Sequence, residues 1–307
     1  VTRRWALTSL LVGATLVGCA GAASPPVTPQ PIAVLPDISG MAWMSGEQLL
    51  VVHDSKQGEA ESARGRVGLV WLPTGPAGIR YVPLDIGWPA SGPSHDLESV
   101  ARIPGTQRIL LAESGDDGGG RTGPRLFLAE LRNSRLVVLE TVEWPEAIHN
   151  VEATAIVELH GQRVFVFAER SHGAAVAALR WATLQLDPLR FGRFEEFRFA
   201  TPTIPAVNRG IVALDADSSG RLYAAGSFDP DVDGGPFRSD IFRLGRLVVQ
   251  PDGGVRYDGQ RPERIYTTDG LKIEALTIRP MADGTPEILY GTDDEDFGGI
   301  IRRLRLP

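Results

Sequence analysis

Five short segments of this chain share one form, and their recurrence limits the available folds more than any other feature. They read "SGMAW", "DLESVARI", "NVEATAIV", "RGIVALDA" and "KIEALTIR". Aligned, they place Ser39, Glu98, Glu152, Gly210 and Glu274 at one equivalent position, 54 to 64 residues apart. After a turn containing Gly or Pro, each is followed by an apolar run that ends in polar or charged residues: "QLLVVHD", "RILLAES", "RVFVFAER", "RLYAAGS" and "EILYGTDD". These runs have strand length, are rich in β-branched residues and show no helical period, so the repeat is one of short strands.

A third strand follows in "RVGLVWLP", "RLFLAEL", "WATLQL" and "DIFRLGRL", and a fourth in "IRYVPLDI" and "LVVLETVEW". Four short antiparallel strands per repeat describe a propeller blade. The expected fold is therefore an all-β propeller of five four-stranded blades. The last repeat ends one strand short at "GIIRRLRLP", and "PIAVLPD" near the start of the domain is expected to supply that strand and close the ring. Six blades are the alternative if a long interblade segment hides a degenerate unit, and a pair of β-sandwiches is the plainer competitor.

At 307 residues and 43% hydrophobic content the chain can bury a large core. Its net charge of −7 argues against general nucleic-acid binding, which needs a basic face to displace counterions. Residues 1–18 read as a signal peptide, with Arg3 and Arg4 ahead of an apolar run too short to span a bilayer comfortably. It ends in Leu16-Val17-Gly18-Cys19, which resembles the lipobox of bacterial lipoproteins. Cys19 is the only cysteine, so it has no disulfide partner within the chain. By that resemblance Cys19 is lipidated and residues 19–30 form a proline-rich tether. A single domain, 31–307, then sits as a monomer on a membrane of the bacterial cell envelope, at its periplasmic or extracytoplasmic face.

In a propeller the first strand of each blade lines the central channel, so Glu98, Glu152 and Glu274 converge on the axis. Three carboxylates together repel one another unless they are protonated, solvated or neutralised by a cation. Oxygen donors without a Cys or His cluster favour calcium, with magnesium as the alternative. A wet channel of unligated acids is the competing expectation. Further acids end the second strands and are expected to crowd one channel mouth, as candidate metal ligands or as solvated loop tips: Asp54, Glu113, Asp116, Asp117, Glu169, Asp293, Asp294 and Glu295. Among them Lys56, Arg170, His172 and Lys272 are the expected contacts for an anionic small-molecule substrate. "DPDVDGGPFRSD" fits a calcium-loop pattern through Asp229, Asp231, Asp233 and Asp240, with Gly234 at the turn. It lacks the usual final Glu, and its alternative is an acidic loop without an ion.

The repeats "DLESVARIPG", "NVEATAI" and "KIEALTI", each with its acidic strand end, resemble the phytase-like, or esterase-like, propeller proteins. They are also similar to five-bladed calcium-dependent apyrases. The resemblance implies an axial calcium near Glu98, Glu152 and Glu274 and hydrolysis of a phosphate or carboxylic ester. The chain departs from the pattern at Ser99, Ala153 and Ala275, where glycine is usual, and two repeats lack the acid. A noncatalytic envelope propeller that binds a protein, glycan or small ligand is the other reading.

Overall fold

The second strand of each repeat is apolar along its length because both of its faces are buried. In the computed structural model, alternate residues of these strands enter different cores. Leu49 and Val51 pack on one side of their strand, while Leu50 and Val52 pack on the other. Phe165 and Phe167 likewise part from Val164, Val166 and Ala168. Side chains that alternate across a strand serve two neighbours when a sheet stacks face to face with sheets on both sides. The structure describes residues 30–54, 66–74, 78–116, 123–132, 135–170, 176–200, 209–232, 234–259, 261–294 and 297–306.

The described residues form only strands and turns. β1 (Gln30–Leu35) precedes a first blade of β2 (Gly40–Ser45), β3 (Gln48–Val52), β4 (Val67–Trp71) and β5 (Arg80–Pro83). The second blade holds β6 (Asp85–Gly87), β7 (Leu97–Arg102), β8 (Arg108–Glu113), β9 (Arg125–Arg132) and β10 (Arg135–Glu143). The third holds β11 (Val151–Leu159), β12 (Gln162–Glu169), β13 (Val176–Leu186), β14 (Leu189–Phe191) and β15 (Glu195–Ala200). The fourth holds β16 (Arg209–Ala216), β17 (Arg221–Phe228), β18 (Arg238–Val249), β19 (Val255–Asp258) and β20 (Glu263–Asp269). The fifth holds β21 (Ile273–Pro280), β22 (Pro286–Thr292) and β23 (Gly299–Arg305), with β1 paired antiparallel to β23.

The inner strands β2, β7, β11, β16 and β21 touch in sequence, and β21 returns to β2, so the five blades form a ring. Each of five apolar cores fills one space between adjacent blades. "IRYVPLDI", expected as a single strand, divides at Leu84. Its first part is β5, and its second is β6, which joins the next blade parallel to β10. Leu84 is buried and donates its N–H to Val67, so the chain crosses between blades there.

Inner strands approach closely at the position after the recurring glutamate. A Cβ on Gly40 would lie 2.7 Å from Val52 Cγ2 and 3.1 Å from the Glu98 carbonyl oxygen. That crowding fits the small residues Ser99, Ala153 and Ala275 at the same position in three other repeats, whereas the fourth repeat accommodates Ile211 there. Ser99 also uses its hydroxyl across the blade boundary, 2.7 Å from Thr154 Oγ1.

Candidate functional site

Each of the three recurring glutamates occupies a β-bulge. Leu97 pairs with Glu113 and Ser99 with Ala112, which leaves Glu98 as the extra residue. The same register shift isolates Glu152 between Val151 and Ala153, and Glu274 between Ile273 and Ala275. A bulge re-aims a side chain out of the alternating pattern. Here it lets an acid sit in an otherwise apolar strand. All three are buried, and Glu98 feels the charges of both Glu152 and Glu274.

The acids differ in their partners. Arg170 Nη1 lies 2.5 Å from Glu152 Oε1. Arg209 reaches Glu274 Oε1 at 3.1 Å, Asp229 Oδ2 at 2.7 Å and Asp231 Oδ1 at 3.0 Å. Lys272 Nζ lies 3.3 Å from Glu274, 3.3 Å from Asp293 and 3.4 Å from Asp229. Burial works against the Arg209 charge, but Glu274, Asp229 and Glu152 outweigh it and hold the guanidinium above its usual pKa. Glu274 is itself pushed well up by burial and by Asp293, against the pull of Lys272.

Glu98 instead gathers with acids. One carboxylate oxygen from each of Asp54, Asp96 and Glu98 lies within 4.8 Å of the others, the only group of three or more such ligands among the described residues. Asp96 is 4% exposed, and its Oδ2 accepts from the Ser114 hydroxyl. Its Oδ1 has no hydrogen-bond partner among the described residues. Burial, then Asp54, Glu152, Asp96 and Glu274, push Glu98 well above the usual carboxylate range. The buried Arg66 guanidinium faces Asp54, Asp96 and Glu113.

The expected ligands therefore separate into two halves. Glu98 and Asp54 belong to the acid cluster, whereas Glu152 and Glu274 are engaged by cations from their own or neighbouring blades. Lys272 and Arg170, expected as substrate contacts, are held by acids, and the Lys272 side chain is only 3% exposed. Glu113 is taken by Arg125 through two contacts of 2.8 and 3.2 Å and accepts the backbone N–H groups of His95 and Arg125. Glu169 accepts from the His149 N–H and faces Arg180 at 3.5 Å. Asp293 belongs to Lys272.

The 229–240 segment is not one calcium loop. β18 begins at Arg238, so Asp240 lies inside a sheet, opposite Gly226, and accepts from Thr267 Oγ1 at 2.5 Å. Asp229 and Asp231 serve Arg209 instead. Cys19, Lys56, Asp117, His172, Asp233 and Glu295 lie outside the described residues.

Asp96, Arg66 and Arg209 escaped the sequence reading. Asp96 carried a signal, since the position two before the recurring acid is polar in every repeat: Asp37, Asp96, Asn150, Asn208 and Lys272. Arg209 carried one too, replacing the apolar residue found there in the other four repeats.

Fold and site together define a five-bladed propeller with an acidic channel mouth. No protein-family description and no curated protein sequence matches the chain. Among solved structures it is similar to a thermostable family-43 glycoside hydrolase, with 11% identity, 92% of this chain and 93% of the other covered, and a TM-score of 0.55. An endo-arabinase from Bacteroides thetaiotaomicron is 10% identical over 90% of this chain and 97% of its own, at a TM-score of 0.55. An exo-1,5-alpha-L-arabinanase from a bovine ruminal metagenomic library is 13% identical over 91% and 96%, at 0.51. At such identities the likeness is one of fold alone.

Proposed function

We propose that the channel mouth binds a divalent cation, calcium first and magnesium as the alternative, at Asp54, Asp96 and Glu98. The observation that carries this reading is the acid cluster itself: three carboxylates within 4.8 Å, one of them with a buried oxygen that nothing described satisfies. Calcium–oxygen distances are about 2.3–2.6 Å, so two ligand oxygens on one ion lie at most about 5 Å apart. The cluster meets that spacing with the hard oxygen donors such an ion prefers. Three carboxylates also leave coordination positions for water or a ligand oxygen.

A calcium ion held there polarises a phosphoryl or acyl oxygen and acidifies its bound water. That chemistry suits hydrolysis of a phosphate or carboxylic ester, the activity implied by the phytase-like resemblance. Arg170 and Arg209 are paired with acids, and an anionic group would reach only the 13% of each side chain that stays exposed. We place the protein in the bacterial cell envelope as a monomer, anchored through lipidated Cys19.

A noncatalytic propeller is the second reading. It is favoured by the ion pairs of Arg209 and Lys272, which spend those charges inside the protein. Hydrolysis of p-nitrophenyl phosphate and p-nitrophenyl acetate decides between them, measured after EDTA treatment and again with calcium or magnesium. Turnover that returns with the ion and disappears in Glu98→Gln supports the hydrolase. Ion binding without turnover supports the binding propeller.

A further inference from the structure

The opposite end of the channel holds a cavity of about 420 Å³, where β2, β7, β11, β16 and β21 finish. Its size falls in the range of small-ligand sites, about 300–1,000 Å³. Ile156, Ile278, Pro104 and Pro280 give it apolar walls, and Trp43 and Arg102 lie together in it, the guanidinium carbon 4.9 Å from the centroid of the indole ring.

Arg102 is the unusual group. Contact with the Trp43 ring engages the guanidinium through its charge and does not use up its N–H donors. Among the described residues these donors make no hydrogen bond and no ion pair, and Nε is buried without a partner. Asp215 balances the charge at longer range. Its oxygens are already engaged, accepting from Ile278 N at 2.7 Å, Thr277 Oγ1 at 2.8 Å and Ala216 N at 2.7 Å. A structural arginine in a buried network would have acceptors of its own. This one lies against an aromatic ring and lines a cavity.

We propose that this cavity is a second binding site, for a small organic carboxylate whose anionic group pairs with Arg102 and whose apolar body lies on the Ile156, Ile278 and proline walls. A monoanion fits better than a phosphate, because one arginine stands among Asp215, Asp217 and Glu158 and a second negative charge would be repelled. The site is independent of the ion at the other mouth.

The test is saturation-transfer NMR on the folded domain with benzoate and its neutral counterpart benzamide, both at millimolar concentration. Benzoate should bind the wild type and Glu98→Gln equally, while Arg102→Gln weakens it about tenfold or more. Benzamide should bind weakly to all three. Ser218→Trp, a change at an exposed turn residue beside the cavity, keeps Arg102 and should also displace benzoate. No benzoate signal in the wild type overturns the proposal, as does a signal untouched by Ser218→Trp and Arg102→Gln. Loss in Glu98→Gln alone would move the carboxylate to the acid mouth.

Discussion

At the scale of single residues, the site rests on which acids have a cation and which do not. Glu152, Glu274, Asp229 and Asp293 face Arg170, Arg209 or Lys272 within 3.4 Å. Asp54, Asp96 and Glu98 gather instead within 4.8 Å of one another, with the Arg66 guanidinium facing Asp54 and Asp96. Asp96→Asn should therefore lower calcium affinity roughly tenfold or more, the scale on which metal sites respond to lost ligands and their supports. Glu158→Gln, whose side chain faces Arg163 at the far end of the same strand as Glu152, should leave it unchanged in a calcium titration. Asp215 gives a pH prediction. Burial raises its carboxyl to about 6, against the pull of the Ile278, Ala216 and Thr277 hydrogen bonds, from an unfolded value of about 3.9. The folded state then holds the proton more tightly. Its contribution to stability is complete below about pH 4 and is lost as pH rises through about 6. The wild type should lose unfolding free energy relative to Asp215→Asn as pH rises over that window. A wild type that gains stability relative to Asp215→Asn with rising pH would mean that the fold favours the carboxylate.

At the scale of elements, the bulged inner strands do two things: they turn acids toward the axis, and they bring neighbouring backbones close. Gly40→Ala forces a Cβ to within 2.7 Å of the stiff Val52 side chain and should destabilise by about 1–3 kcal/mol in denaturant titration. A neutral result would show that β2 can move away from β7. The second strands were the most legible elements, since the interiors of "QLLVV", "RILLAE" and "RVFVFAE" lie between two cores and are apolar between their polar ends. The inner strands were legible from the repeating acid. β15 and β20 were not, because they are outer strands, partly exposed, and "EEFRFA" reads as a surface segment. The bulges were equally hidden, since a register shift depends on the partner strand. So were the ion pairs: Arg209 and Glu274 stand 65 residues apart, and nothing local in either repeat announces their meeting.

At the scale of the whole molecule, the ring joins first blade to last through contacts of great sequence separation. Trp43 donates its backbone N–H to Thr277 Oγ1 at 2.9 Å, and Glu47 receives Arg279 at 2.6 Å and Arg303 at 3.2 Å. Arg279 also pairs with Glu287, which is fully buried. Arg279→Met would leave Glu287 with Arg305 alone in its surroundings, and breaking a buried pair in this way costs about 3–5 kcal/mol. Thermal unfolding should show that loss as a single transition shifted downward, whereas separate transitions would mean that the blades unfold independently. The same closed ring brings Asp54 from the first blade to Asp96 and Glu98 from the second, so the proposed ion site would exist only in the folded state. An ion that binds the folded state alone raises its melting point by mass action. The most direct measurement is therefore a thermal melt of the domain from Pro31 onward with calcium, magnesium or EDTA, for the wild type and for Glu98→Gln. The account predicts a midpoint that rises with calcium in the wild type and no longer does so in Glu98→Gln. A wild-type melt indifferent to every ion, or one that Glu98→Gln leaves equally responsive, would contradict it.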